Sequence, residues 1–138
     1  MTLELESDGA FDLTATPAHL GLGATVEVQP TFTGQMEWYA AYGTRTESDG
    51  IEGRLMSMHT FAEPWDSWEM HPNGDELVLC VDGEIVLHQE LPDGVSQVTL
   101  RKGEAVINRP GVWHTADVAH PATVLFITAG VGTDMRPR

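Results

Sequence analysis

Trp68-Glu69-Met70-His71-Pro72-Asn73-Gly74-Asp75-Glu76, running on into Leu77-Val78-Leu79-Cys80-Val81-Asp82-Gly83, holds the densest concentration of ligand-type side chains in the chain. Along an extended segment side chains alternate between faces, so Glu69 and His71 leave one face while Trp68 and Met70 leave the other. Pro72-Asn73-Gly74 has the chemistry of a turn, and Glu76 then opens the next strand close beside His71. Three ligand-type groups are thus expected to converge from one hairpin. A fourth is available from Gly103-Glu104-Ala105-Val106-Ile107-Asn108-Arg109-Pro110-Gly111-Val112-Trp113-His114, in which His114 stands three residues beyond the glycine of a Pro110-Gly111 turn.

Away from this stretch the punctuation is the same. Fourteen Gly and eight Pro are spread over the whole length and separate short runs rich in Val, Ile, Leu, Thr and aromatics, which is all-β patterning. Strands are predicted at Ala24 to Gln29, Glu37 to Tyr42, Gly53 to Phe61, Trp68 to His71, Glu76 to Val81, Glu84 to Gln89, Gln97 to Leu100, Ala105 to Asn108, Trp113 to Val118 and Ala122 to Ala129. Asp82-Gly83 and Pro92-Asp93-Gly94 suit tight hairpins, and Pro110-Gly111 suits a type II turn. The one helical candidate is Thr16 to Leu22, with Thr16 as N-cap and Pro17 at the first helical position. Residues 1–33 are less regular and are expected to form an N-terminal arm or extension. Residues 34–138 are expected to form a single barrel domain.

The two quoted stretches resemble the paired motifs of the cupin superfamily, small β-barrels. The usual first motif there is Gly, five residues, His-x-His, three or four residues, Glu, six residues, Gly; the second is Gly, five residues, Pro-x-Gly, two residues, His, three residues, Asn. His71, Glu76 and Gly83 fit the first at the right offsets, and Gly103, Gly111 and His114 fit the second. Glu63 stands where the opening Gly is usual, Glu69 where the first His is, Arg109 where Pro is, and Val118 where the closing Asn is. The resemblance spans Gly53 to Gly130 and implies an all-β, double-stranded β-helix (jelly-roll) barrel. It also implies that His71, Glu76 and His114 are metal ligands in the barrel mouth, with Glu69 replacing a neutral imidazole by a carboxylate. Two imidazoles and two carboxylates suit a borderline divalent ion, with Fe, Mn, Ni and Zn all compatible. The alternative for Glu69 is a solvated rim carboxylate paired with Arg101, Lys102 or Arg109.

The remaining candidates carry less. His59 precedes the motif and either lines the pocket or is a hydrogen-bonded core residue. His88 reads as structural, and His19 and His120 as surface-loop residues. Cys80 shares the parity of Glu76 and Val78, so it is expected inside the barrel as a small buried hydrophobe. Trp65, Trp68 and Trp113 are expected around the site, mostly as packing. Arg54 or Arg109 could hold a substrate carboxylate.

Composition narrows the function classes. With 138 residues and 41% hydrophobic content the chain supports one core. Its 21 acidic against 7 basic residues give a net charge of −14, which argues against nucleic acid or an anionic membrane as partner. One cysteine excludes an intramolecular disulfide and a cysteine-based zinc cluster. The acidic start, Met1 to Gly9, lacks a signal-peptide pattern, and a cytoplasmic protein is expected. Edge strands covered by an N-terminal arm would give a homodimer. The leading functional expectation is a metal-dependent enzyme acting on a small molecule, by oxygen insertion as in cupin dioxygenases or by isomerase or lyase chemistry on sugars and keto acids. The alternatives are a non-catalytic metal or metabolite sensor and a metal-free structural barrel.

Overall fold

Burial alternates residue by residue along the central strands, as it must where one face of an extended segment packs on a core. From Glu76 the buried side chains are Glu76, Val78 and Cys80, and from Glu84 they are Ile85, Leu87 and Gln89. The structure, a computed structural model, describes residues 9–138. Among these residues the strands in chain order are β1 (Ala18–Gly21), β2 (Thr25–Val28), β3 (Arg54–Phe61), β4 (Ser67–Met70), β5 (Glu76–Asp82), β6 (Glu84–Leu91), β7 (Gly94–Arg101), β8 (Ala105–Asn108), β9 (His114–Asp117), β10 (Ala122–Thr128) and β11 (Asp134–Pro137). A helix α1 (Met36–Thr46) and a 3-10 segment (Glu47–Glu52) lie between β2 and β3. One antiparallel sheet has the order β2-β1-β3-β10-β5-β8, and the other β11-β4-β9-β6-β7. Their facing sides enclose Val78, Cys80, Ile85, Leu87, Leu100, Ala116, Val118, Ala122, Val124 and Phe126. This is the jelly-roll architecture that the resemblance implies.

Two turns hold as expected. Pro92-Asp93 closes the β6–β7 hairpin, in which Leu91 pairs with Gly94. At Gly111 the backbone adopts a φ of 81°, and the Val112 N–H donates to the Arg109 carbonyl at 3.1 Å, closing the turn that aims His114.

Four expectations are corrected. Asp82-Gly83 is no hairpin: β5 and β6 belong to different sheets, and the chain crosses between them there. Gly83 is required for another reason, since a Cβ at this position would stand 2.7 Å from the Pro121 carbonyl oxygen. For the same reason β4 and β5 form no paired hairpin, and the ligand-type groups they carry meet from opposite sheets. Glu37 to Tyr42 lies in helix α1, not in a strand. Aromatic β-propensity loses there to Ala40-Ala41, an acidic residue in the first turn and a basic one in the last, and the i,i+4 stacking of Trp38 on Tyr42 at 5.7 Å. Thr16 to Leu22 holds β1 instead of a helix. The local turn falls earlier, where Asp12 accepts the Ala15 and Thr16 backbone N–H groups, and Pro17 begins an extended run that pairs with β3. The C-terminal strand β11 was not expected, and it pairs with β4 directly beside Glu69.

Candidate metal centre

Register brings the four singled-out groups to one place. Glu69 of β4 pairs across the ladder with His114 of β9, and His71 lies just past the end of β4. From the facing sheet, Glu76 opens β5 between Thr128 of β10 and Asn108 of β8. The His71 Nε2 lies 3.3 Å from Glu76 Oε2, and the His114 Nε2 lies 3.2 Å from Glu76 Oε1. Glu69 Oε1 is 4.0 Å from His71 Nε2, and donor atoms of Glu69, His71 and His114 all fall within 4.8 Å of one another. His71, Glu76 and His114 are buried, whereas the Glu69 side chain is a third exposed, at the rim. Its carboxylate has no ion pair with Arg101 or Arg109, which instead face Glu84 and Asp75.

The hydrogen bonds behind the two imidazoles define their neutral tautomers. His114 Nδ1 is 3.2 Å from the Val112 carbonyl oxygen, which only accepts, so Nδ1 carries the hydrogen. His71 Nδ1 is 2.8 Å from Thr133 Oγ1, and that hydroxyl is committed as donor to the Gly130 carbonyl at 2.8 Å, so His71 Nδ1 also donates. In the neutral form both Nε2 lone pairs therefore point inward, the tautomer a metal ligand needs. They point at carboxylate oxygens, an arrangement of acceptors against acceptors that only a proton or a cation between them relieves. Apart from the Glu76 carboxylate, with which a neutral Nε2 forms no hydrogen bond, neither buried Nε2 has a partner. These residues fit a divalent cation.

Glu76 is held from behind. Asn108 Nδ2 donates to its Oε1 at 3.0 Å, Thr128 Oγ1 donates to its Oε2 at 2.6 Å, and Gln89 Nε2 in turn donates to Asn108 Oδ1 at 2.7 Å. Burial pushes the Glu76 carboxyl up, but His114 and His71 outweigh it and hold it well below the usual carboxylate range. Burial pushes the His114 imidazole down, but the facing Glu76 outweighs that and raises it. Glu69 is raised, by burial first and by the Glu76 charge second. Asn108, Thr128, Gln89 and Thr133 were not singled out in the sequence. Asn108 and Gln89 had a usable signal, since each sits at an inward strand parity as a polar residue, which requires a partner there.

Other predicted residues fall in varied places. Trp65 alone of the three tryptophans meets the site, its ring 6.4 Å from that of His114 and in contact with Phe61 and Phe126. Trp68 and Trp113 instead flank the Arg136 guanidinium, 5.4 and 4.5 Å from it, and Arg136 is ion-paired with Glu90. His59 faces inward on β3 against Phe32, Phe61 and Phe126. His19 is a correction: it is buried, not a surface-loop residue, with Nδ1 2.7 Å from the Tyr42 hydroxyl and Nε2 2.6 Å from Asp49 Oδ2. His88 is paired with Asp117 at 2.7 Å, a structural role, and His120 is exposed. Cys80 is fully buried in the core as expected, and burial pushes its thiol up. Arg109 is engaged by Asp75 and Arg54 is exposed at the start of β3.

Residues 58–128, more than half of the chain, match the Cupin domain family. This chain is a cupin. The matched segment contains Glu69, His71, Glu76 and His114. Among solved structures this cupin is similar to protein NMB1881 from Neisseria meningitidis, with 20% identity, 55% of this chain and 74% of that chain covered, and a TM-score of 0.47. It is similar to a cupin superfamily protein from Desulfitobacterium hafniense, with 21% identity, coverage of 54% and 65%, and a TM-score of 0.47. It is also similar to hydroquinone 1,2-dioxygenase from Sphingomonas, with 20% identity, coverage of 54% and 59%, and a TM-score of 0.46. No curated protein matches the chain. No helix among the described residues is long and apolar enough to cross a membrane.

Proposed function

We propose that this cupin binds one divalent metal ion through Glu69, His71, Glu76 and His114 and is a metal-dependent enzyme acting on a small molecule. The observation that carries this reading is the pair of buried, unpartnered Nε2 atoms, each with its Nδ1 committed to a protein acceptor and each facing a Glu76 oxygen. Two carboxylates balance the charge of a dication, and two imidazoles favour a borderline ion over calcium or magnesium. When bound, such an ion supplies Lewis acidity toward a chelating substrate.

The protein groups divide the remaining work. Asn108 and Thr128 fix the Glu76 carboxylate, Thr133 and the Val112 carbonyl fix the two imidazoles, and the rings of Trp65, Phe61 and Phe126 keep water from the inner side. Glu69, a third exposed, is the one of the four groups that solvent reaches. Within this class we favour oxidation of a small oxygen-bearing substrate by dioxygen, because His71, His114 and Glu76 supply the two imidazoles and one carboxylate of non-haem iron oxygenases, to which Glu69 adds a second carboxylate. The test is oxygen uptake by protein loaded separately with iron(II), manganese, nickel and zinc, over a panel of keto acids, diketones, phenols and sugars. Uptake with iron(II) and a diketone or phenol supports the reading. Metal binding without turnover of any panel member leaves a sensor module and refutes the enzyme reading.

A further inference from the structure

Among the described residues three buried polar side-chain atoms lack a hydrogen-bond partner: His71 Nε2, His114 Nε2 and Trp65 Nε1. The first two face the candidate metal centre. The third belongs to the ring that packs on His114, so the three unpartnered atoms lie on neighbouring side chains. An indole nitrogen is a donor only. A buried donor without an acceptor costs about 1–3 kcal/mol, so its presence here calls for a partner.

Trp65 is not a loosely placed loop residue. Its backbone N–H donates to the Ala116 carbonyl at 3.0 Å, and its own carbonyl accepts from Arg138 Nη1 at 2.9 Å. Both backbone groups are therefore pinned, one to β9 and one to the C-terminal arginine. The ring is clasped between Phe61 at 5.5 Å and Phe126 at 6.0 Å, neither of which offers an oxygen, so an acceptor for the buried nitrogen has to come from an occupant of the site that displaces its neighbours. The frame holds this donor firmly in place and gives it nothing to bind.

We propose that Trp65 Nε1–H donates a hydrogen bond to an oxygen of the small molecule held at the metal centre, and that Trp65, Phe61 and Phe126 select a compact substrate with chelating oxygens and an apolar body. The assignment rests on the metal-centre reading above. It also narrows it. A polyhydroxylated sugar presents many hydroxyls, and on the side walled by these three aromatic rings most of them would go unpaired, which disfavours it. A ketone, enol or phenol presents one or two oxygens and a carbon skeleton for the rings.

The experiment uses zinc-loaded full-length protein, with 15N-labelled indole groups, and acetohydroxamate as a small oxygen-chelating probe. Zinc titration comes first. Wild-type protein that takes no zinc overturns the metal reading and this assignment together. With zinc bound, the Trp65 indole proton resonance is expected to move downfield on adding acetohydroxamate. Trp65→Phe is expected to keep its zinc affinity while binding acetohydroxamate about tenfold more weakly. An unmoved Trp65 indole resonance, or equal hydroxamate affinity in Trp65→Phe, overturns the assignment and leaves the metal reading standing. Should Trp65→Phe not fold, Trp38→Phe, Trp68→Phe and Trp113→Phe assign the Trp65 resonance by elimination, and its response decides.

Discussion

Replacing Asn108 by alanine removes the support of Glu76 without touching any of the four candidate ligands. Asn108 is 2% exposed and makes two side-chain hydrogen bonds, donating to Glu76 Oε1 at 3.0 Å and accepting from Gln89 Nε2 at 2.7 Å. A hydrogen bond to a charged group contributes about 1.5–3 kcal/mol and a neutral one about 1 kcal/mol. The second is partly retained, since Gln89 Nε2 also reaches the Ile107 carbonyl at 3.1 Å. Asn108→Ala is therefore expected to destabilise metal-free protein by about 2–4 kcal/mol. Removing an outer partner of a metal ligand typically costs about 10–100-fold in metal affinity, and the same loss is expected here for zinc. Urea unfolding at pH 7 with chelator present reads the first number, and competition against a chromophoric chelator reads the second. The Glu76→Gln, Asn108→Ala cycle isolates the charge-dependent part. A destabilisation under about 0.5 kcal/mol, together with unchanged zinc affinity, would refute the claim that Asn108 positions Glu76.

Further outcomes follow from other parts of the structure. The raised His114 stabilises metal-free protein below its unfolded value of 6.5, and this is lost as pH rises through the raised folded value; the depressed Glu76 stabilises above about 4.5, and this is lost as pH falls. Metal-free protein should thus lose stability as pH rises above 6.5, while the rise in Tm on adding zinc should grow from pH 5.5 to pH 8 as protons leave the imidazoles; a zinc effect larger at pH 5.5 would contradict the ligand set. Gly53→Ala should destabilise by about 1–3 kcal/mol in thermal or urea unfolding, because its Cβ would stand 2.7 Å from His19 Cε1 inside the buried His19, Asp49 and Tyr42 cluster; a neutral substitution would show that this cluster is loose. Trp113→Phe should leave zinc affinity unchanged and cost no more than about 1 kcal/mol, because Trp113 stacks on a partly exposed Arg136 away from the ligands; reduced zinc binding would show that it belongs to the site.

The barrel and its ligand-type residues were legible because they rest on short-range rules. Gly and Pro punctuation gave the strands at Glu76 to Val81 and Glu84 to Gln89, parity gave the buried face of the first, and the Pro110-Gly111 turn gave the position of His114. Which strands pair was less legible. Asp82-Gly83 has hairpin chemistry, yet the bend it makes passes between sheets, a choice set by packing around Val78 and Ile85 and by the close approach of Pro121. The helix α1 carried a 3.6-residue signal in Trp38 and Tyr42 that competing aromatic β-propensity masked. His19 was misjudged because its partners Tyr42 and Asp49 lie 23 and 30 residues away. Long-range partners likewise hid Thr133, 62 residues from His71, and Thr128, 52 residues from Glu76. Trp68 and Trp113 lie next to ligand residues in sequence, but strand parity and Arg136 turn them to the opposite face.

Whether a cation belongs between Glu76 and the two imidazoles can be measured directly, by counting zinc bound per chain in equilibrium dialysis at pH 7.5 with elemental analysis of untagged protein. Wild type should hold one zinc per chain, His71→Ala and His114→Ala should each hold essentially none at the same free zinc, and Trp113→Phe should match wild type. Equal zinc in wild type and both histidine variants would contradict the metal centre.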